Sequence, residues 1–547
     1  MEAIRDNKRC ALDDSILKEK WKLESVYGVE LATEPSYCVF NNTAKAIKLL
    51  DKHIRNNSKI VFHTDVDFDG VGTNYIFKKT LEYLGSKNHT LMINKDKVHG
   101  IQQKHVEYFK DKEIDLIIIT DSSCNEVDIM KQFNCDVLCV DHHDLLHKET
   151  YGKCLNGTSD FVIVNNTIDE DTYIEDKQLL KHTLDFEQYK ADSAMSCGLV
   201  VYELLRIYTK YIGKEKLLEN LKLYQWVGTT LFTDAVDTLN NRNQWYLIST
   251  VFSNEVEHCM STMMHNINKY KATLDKSYIQ YSLAPIINKA IRAGKSSEAV
   301  SKVINKPEDV FSLNIYNQNQ TEAIEKATTI LDETTGIRNS IIFDTPSIML
   351  DLSNMDVHPN YYGVIASRLS GDNNKSTAVY RINENGKCKG SFRGIHKDID
   401  YRKYFESYSK DIYAQGHPPA FGFELSIEQL TYLMDNLKNI EPLEEDKPWI
   451  SIGDVDKEHR GVFHIESADD FRKAGLVWKI ATGNAKVASV DEIIVRVSAK
   501  DTVLKETRGK VLIYNVLGFE CKAFKPLQGD FFNLYIEYGR EINIFIR

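Results

Sequence analysis

Four short apolar runs recur between residues 59 and 166: "KIVFHT", "DLIIIT", "CDVLCV" and "FVIVNN". Each is rich in β-branched residues and continuous rather than alternating, and polar loops and helically spaced stretches separate them. Continuous runs of this length predict strands covered on both faces in a parallel sheet. The clearest intervening helix is "VGTNYIFKKTLEYLG", in which Gly85 supplies the stop. Further on, "DSAMSCGLVVYELLRIYTKYIG" reads as a long helix, and helical spacing continues to about residue 335. A second α/β segment covers about 340–440 and contains "YYGVIASRL", "STAVYRI" and "GSFRG". Beyond the linker "EPLEEDKP" the pattern turns to short strands, "GKVLIYNVLGFECKAF" and "FFNLYIEYGREINIFIR". That change predicts a small β-barrel or sandwich.

The expected fold class is therefore α/β with a β-rich tail. It comprises an N-terminal helical and loop segment (1–55), a parallel-sheet domain (56–245), a helical connector (246–335), a second α/β domain (336–442) and a C-terminal β-rich, OB-like or sandwich domain (449–547). A chain of 547 residues has room for about three or four such units. No apolar run approaches the ~18 residues of a membrane span, and "MEAIRDNKRCALDD" is too polar for a signal peptide. The ten cysteines form no CxxC pair, so neither a zinc ribbon nor a disulfide framework is expected. Cys135 and Cys139 read as core residues of the third strand. Together these features predict a reduced, cytoplasmic protein with no membrane partner.

The net charge of −11 argues at first against a polyanionic substrate. From residue 471 onward, however, 13 Lys and Arg face 8 Asp and Glu, a local +5 that leaves −16 for residues 1–470. Because salt screens charges over ~8–10 Å, an acidic centre and a basic face can coexist on one chain.

Candidate chemistry gathers where the early strands end. The first run leads into "HTDVDFDG", with His63, Asp65, Asp67 and Asp69; the second ends at Asp121; the third ends at Asp141, His142 and His143. A lone Asp in such a place is usually a turn former or a helix cap. Three such endings on consecutive strands are different, because ligands of an open α/β sheet gather beyond the carboxyl ends of its strands. Carboxylates crowded together there are tolerable when divalent cations neutralise them. Several carboxylates with two or three imidazoles favour manganese or another first-row ion over calcium.

"DVDFDG", "TDSS" and "VDHH" resemble the ordered motifs of the DHH phosphoesterases, named for the triplet that is Asp141-His142-His143 here. "VGTTLFTDAVDTLNNR" resembles their fourth motif, with Asp234 the matching acid and Asn241-Arg242 after it. "LAPIINKAIRAG" is similar to the aPxiNAxGR segment of RecJ-type single-strand exonucleases, with Pro285, Asn288 and Arg292 in place. "YYGVIASRL" resembles a strand–helix segment of the same enzymes, and "GSFRG" and "QGHPPAFGFEL" resemble the GSxR and GGHxxAxG motifs of the DHH-associated domain. The chain departs from these patterns where it reads "QGH" for GGH and "NKAIR" for NAAGR. The resemblance covers about residues 55–440.

The resemblance implies a two-cation centre, with Mn²⁺ preferred and Mg²⁺ possible. Asp67 and Asp69 are ligands, Asp121 bridges the ions, and His142 and Asp234 complete the second site. The remaining ligand in such proteins is either a histidine at the position of His63 or an acid at the position of Asp65; both are present, with His63 favoured. His143 would contact the scissile phosphate and Asp141 would orient a histidine, as a group behind the ligands commonly does. Ser391, Arg393, Gly416 and His417 would bind phosphate from the second lobe, and Arg292 and Asn288 would line the strand channel. Tyr361, Tyr362, Phe421 and Phe423 are either base-stacking or core residues. In the tail, Trp478, Lys479, Lys486, Arg496 and Lys510 can follow a phosphate backbone.

The expected function is exonucleolytic hydrolysis of single-stranded DNA, 5′ to 3′, in repair, recombination or replication, with a single-strand-binding protein or a helicase as candidate partners. The alternatives are a phosphodiesterase for short oligonucleotides or cyclic dinucleotides, and a non-catalytic replication scaffold.

Overall fold

The four apolar runs all become buried strands. A computed structural model of the chain describes residues 35–441 and 485–546, with the longer breaks at 95–99, 169–185, 189–193, 269–273 and 337–346. The runs form β1 (Ile60–Thr64), β3 (Leu116–Thr120), β4 (Asp136–Asp141) and β5 (Phe161–Asn165), and α1 (Phe68–Tyr83) follows β1. Between α1 and β3 lies a strand that the apolar pattern does not mark, β2 (His89–Met92). It occupies the sheet edge and is only partly buried, so "HTLM" needs no continuous apolar run.

All five strands are parallel, in the order β2-β1-β3-β4-β5. Successive side chains alternate between two cores. Ile60, Phe62, Leu116, Ile118, Leu138 and Val140 face one helical layer; Val61, Ile117, Ile119, Val137 and Cys139 face the other. The order reverses between β1 and β3, which makes the crevice beyond their carboxyl ends the natural ligand position. Thr64 pairs with Thr120, and Thr120 with Val140, so the residues that leave β1, β3 and β4 emerge at one level.

Helices α2 (Cys197–Tyr211) and α3 (Tyr224–Thr233) pack against α1. They meet at Thr230: a Cβ on Gly198 would lie 2.4 Å from its Oγ1, and one on Gly72 would lie 2.7 Å from its methyl group. This approach fixes the start of α2 against the sheet. Deeper in the same layer, the buried Glu203 carboxylate accepts from Arg206 Nη1 (3.0 Å), Arg242 Nη1 (3.0 Å), Tyr246 Oη (2.6 Å) and the Cys38 amide (3.2 Å). Arg242 thus serves the core rather than the crevice.

The connector includes α4 (Ala284–Arg292), with Pro285 in its first turn, where a missing N–H costs nothing. It buries Ile286, Ile287, Ala290 and Ile291 and carries Asn288 and Arg292 one turn apart. The second α/β lobe contains β6 (Ser347–Asp351), α5 (Tyr362–Asn373), β7 (Ser376–Ile382), β8 (Lys387–Arg393), α6 (Tyr401–Tyr408), β9 (Tyr413–His417) and β10 (Ala420–Ser426). Its sheet runs β9-β10-β8-β7-β6, antiparallel except for β6 with β7. The first strand of this lobe, β6, precedes "YYGVIASRL", which itself forms the start of α5. Tyr361, Tyr362, Phe421 and Phe423 are all buried, so they are core residues and not base-stacking platforms. Phe392 anchors that core, 5.1 Å from both Phe405 and Phe421 between ring centroids.

The C-terminal region is β-rich. Strands β11 (Ala485–Ser489), β12 (Glu492–Ser498), β13 (Thr502–Arg508), β14 (Val511–Val516), β15 (Phe519–Ala523), β16 (Phe531–Tyr538) and β17 (Ile542–Ile546) form one sheet, ordered β11-β12-β16-β17-β15-β14-β13. Among the described residues this sheet has two unpaired edges, and an OB-like closure is not seen. The side chains of Trp478, Lys479, Lys486, Arg496 and Lys510 lie outside the described residues. No helix among the described residues is long and apolar enough to cross a membrane.

Replacing Glu203 by Ala would leave Arg206 and Arg242 buried without their carboxylate, which typically costs about 3–5 kcal/mol. Urea denaturation of Glu203→Ala should show that loss, and a variant within about 1 kcal/mol of the parent would contradict the network.

Candidate metal centre and substrate cleft

Beyond β1 the chain turns sharply into α1. A Cβ on Gly70 would sit 2.5 Å from the Asp65 carbonyl oxygen, so glycine alone closes this turn. Asp67 caps α1 and accepts the Gly70 amide at 3.1 Å. Asp69 accepts three bonds: from the Cys197 amide (2.9 Å), the Gly198 amide (3.1 Å) and Thr73 Oγ1 (3.2 Å). The start of α2 therefore fixes Asp69, as free amides at a helix N-terminus favour a carboxylate.

Asp121 leaves β3 with φ +60°, and its amide donates to Val140 O at 3.1 Å, beside Cys197 Sγ at 3.2 Å. Asp141 accepts from the amides of His142 (2.8 Å), His143 (3.3 Å) and Cys124 (3.0 Å), and pairs with His143 Nδ1 at 2.8 Å. His142 Nδ1 donates to Met195 O at 2.8 Å, which leaves Nε2 3.2 Å from Asp121 Oδ1 and 3.9 Å from Asp69 Oδ2. Asp234, at the end of α3, lies 3.5 Å from His142 Nδ1 and bonds His417 Nε2 from the second lobe at 2.8 Å.

Three sets of donors converge, each with its ligand atoms within 4.8 Å of one another: Asp65, Asp67 and Asp121; Asp69, His142 and Asp234; and Asp121, His142 and His143. Asp121 and His142 each belong to two sets. His63 belongs to none. Its ring is buried against His105 at 5.5 Å, and neither ring nitrogen has a hydrogen-bond partner among the described residues.

The electrostatics fit a cation. Burial, then Asp234, pushes Asp69 up to about 7, and burial followed by Asp69 pushes Asp121 well above the carboxylate range. No Lys or Arg pairs with either among the described residues. Burial works against a charged His142, but Asp234 and Asp121 outweigh it and hold its pKa up. Burial also opposes ionisation of Asp141 and Asp234, yet His143 holds the first and His417 the second below the usual carboxylate range. Burial, then His105, drives His63 down to about 3, so it stays neutral.

The opposite wall is cationic. Arg393 donates from Nε to Ser367 Oγ (3.1 Å) and from Nη1 to Phe392 O (2.6 Å). A Cβ on Gly363 would lie 2.7 Å from Nη2, so α5 makes room for this guanidinium, with Ser391 Oγ beside it. Arg292 donates to Gln320 Oε1 at 2.8 Å. Burial lowers both arginines, and Arg292 lowers Arg393 further, to about 10, while Asp67 acts on Arg292 in the opposite sense. The two guanidiniums thus feel each other beside the acidic cluster, and neither forms an ion pair with a carboxylate among the described residues. Asn288 Oδ1, one turn before Arg292, is buried without a partner there. Gly416, at φ +132°, turns the chain into His417.

The structure thus gathers Asp65, Asp67, Asp69, Asp121, Asp141, His142, His143, Asp234 and His417 around one cleft, with Arg292, Arg393 and Ser391 at its rim. The sequence reading passed over Met195, Cys197 and Gly198, which act through backbone atoms. Its one available signal was Ser196, whose hydroxyl caps α2 by accepting the Leu199 amide at 3.3 Å.

No family model matches the chain. It is 21% identical over 425 residues to YorK, an SPbeta prophage-derived protein of Bacillus subtilis (strain 168) whose assigned name is that of a single-strand DNA-specific exonuclease; the match covers 72% of this chain and 68% of the relative. The yorK protein of Bacillus phage SPbeta, assigned the same name, matches equally. Among solved structures, RecJ from Thermus thermophilus in complex with Mn²⁺ is similar with a TM-score of 0.64 at 14% identity, over 97% of this chain and 76% of that one. The same protein in complex with Mg²⁺ gives a TM-score of 0.57 at 14% identity, over 97% and 74%. At this identity the likeness establishes a shared fold.

The raised Asp69 has a pH consequence. With a pKa of about 7 folded and 3.8 as the ordinary value, it holds a proton in the folded state that the unfolded chain has lost. Stability of the metal-free protein should therefore fall as pH rises from about 4 to 7. Thermal melts in EDTA should show the melting temperature dropping between about pH 4 and 7, less so in Asp69→Asn. Mn²⁺ should raise it more at the upper end of that range than at the lower; an equal rise at both would speak against a cation here.

Proposed function

We propose that this chain, a RecJ-like protein of the DHH phosphoesterase type, is a divalent-cation-dependent exonuclease that hydrolyses single-stranded DNA from the 5′ end. One observation carries the reading: two half-buried guanidiniums with no carboxylate partner among the described residues stand near the buried carboxylates of Asp69 and Asp121, which no Lys or Arg neutralises there. A phosphodiester held between them suits both walls, because Arg matches phosphate oxygens with a planar fork. The names of the YorK relatives and the shared RecJ fold support the same reaction class.

On this reading the lobe of residues 56–245 holds two cations, Mn²⁺ or Mg²⁺. Asp65, Asp67 and Asp121 would hold one and Asp69, His142 and Asp234 the other. Divalent cations, when bound, lower the pKa of water and offset charge on phosphoryl oxygens. The chain's own groups then orient the substrate. Met195 O fixes the His142 tautomer and aims Nε2 at the ligand cluster. Asp141 fixes Nδ1 of His143 as the donor, which leaves Nε2 to contact a phosphoryl oxygen. From the lobe of residues 336–442, Arg393, Ser391 and His417 grip phosphate, joined by Arg292 and Asn288 of the connector.

The test uses 5′- and 3′-labelled single strands, a dinucleotide and a cyclic dinucleotide, each with Mn²⁺. Stepwise loss from the 5′ end of the long strand is expected, and cleavage of the short substrates alone would instead make this a small-substrate phosphodiesterase. Asp67→Ala should abolish turnover. Arg393→Ala should raise KM on the order of 10–100-fold, the range for losing a hydrogen bond to a charged group. Arg393→Lys should recover little of it, because a point charge does not replace the fork.

A further inference from the structure

We propose that Arg402 is a positioning residue that latches the two lobes together and sets His417 over the metal centre. Arg402 is the second residue of α6, behind the Asp400 cap, and only 6% of its surface is exposed. A guanidinium buried this deeply needs partners, and those it has come from both lobes. Nη2 pairs with Asp144 Oδ2 at 2.5 Å, while Nη1 donates to Gly416 O at 2.8 Å. Its amide also donates to Pro418 O at 3.2 Å.

The places of these partners in the chain give the contact its meaning. Asp144 directly follows Asp141-His142-His143, and its carbonyl is held by Asn125 Nδ2 at 3.0 Å. Gly416 directly precedes His417, whose Nε2 reaches Asp234. One side chain therefore spans the gap between the two loops that bring histidines to the centre. The His417 ring lies 6.2 Å from that of His142 and 6.3 Å from that of His143.

The need for a latch follows from the topology. Strand β9, which ends at His417, is an edge strand paired only with β10 among the described strands. Its outer side has no neighbour in the sheet, so α6 and Asp144 supply the lateral restraint. The same loop also reaches the phosphate grip, because the Gly394 amide donates to Pro419 O at 2.8 Å, next to Arg393. Loss of the latch should loosen His417 and the end of β8 together. Both Nη groups of Arg402 are engaged, by Asp144 and Gly416, and the side chain is buried, so it acts through these groups and not on the substrate.

The kinetic part of the test rests on the nuclease reading, so a second readout is independent of it. The variants are Arg402→Ala, Arg402→Lys, Asp144→Asn and the Arg402→Ala/Asp144→Asn pair. With Mn²⁺ and a labelled single strand, Arg402→Ala should raise KM about tenfold or more with a smaller fall in kcat. Arg402→Lys should restore only part of the loss, because one ammonium cannot replace both arms of the fork, and the double variant should be no worse than Arg402→Ala alone, as expected for two residues in one contact. Without substrate, amide hydrogen exchange of residues 413–417 should quicken in Arg402→Ala and Asp144→Asn. If Arg402→Ala does not fold, Arg402→Lys and Asp144→Asn decide, since Asp144 is partly exposed. Unchanged KM with unchanged exchange, or additive effects, would overturn the latch. Quickened exchange in the variants of a parent protein that is inactive on every strand would keep the latch and reject the nuclease.

Discussion

The repulsion between buried carboxylates at one edge of a parallel sheet is the constraint around which the rest of this molecule is arranged. Asp69 and Asp121 are held where burial and a neighbouring carboxylate, Asp234 for the first and Asp69 for the second, oppose ionisation. Such crowding persists where rigid surroundings fix the groups and a proton or a cation answers them. The rigidity comes from the segment Met195–Gly198. Its amides hold Asp69, its carbonyl holds His142, and Cys197 Sγ lies beside the Asp121 amide. That segment is placed in turn by the glycine contacts at Thr230. Helix packing, strand register and ligand geometry are therefore one problem with one solution.

The second lobe completes the cleft by the opposite means. It brings Arg393 to the rim without a carboxylate partner among the described residues and His417 into contact with Asp234. On the proposed reading, cations set near these acids would suit a phosphate, whatever the net charge of the whole chain. A formal charge of −11 is spread over the surface and screened within ~8–10 Å. Charges buried in the cleft escape most of that screening. Local arrangement, not the total, decides which ligand is welcome.

Much of this was legible in the sequence, for identifiable reasons. Strands β1, β3, β4 and β5 are covered on both faces, so each is written as an unbroken apolar run, and the acids and histidines of the cluster follow β1, β3 and β4 directly. Strand β2 was missed because its residues are only partly buried, unlike those of β5 at the other edge. The four aromatics Tyr361, Tyr362, Phe421 and Phe423 left two readings open, and burial decided for the core. Met195, Cys197 and Gly198 act through backbone amides and carbonyls, which every residue carries, so composition cannot mark them. Arg402 and Asp144 lie 258 positions apart and meet only in the folded chain.

The competition between His63 and Asp65 turns on charge. Asp65 lies with Asp67 and Asp121 in a set of three acids, whereas His63 is buried beside His105 outside every set. A third carboxylate deepens the negative potential that a cation must offset and so strengthens the preference for a hard divalent ion. A protonated imidazole at His63 would work against that potential. Burial prevents this by driving the His63 pKa down to about 3, so the ring stays neutral across the working pH range. The same desolvation that makes Asp69 costly to ionise thus keeps a competing positive charge out of the site, and a ring held neutral keeps the lone pair through which a histidine binds a metal ion.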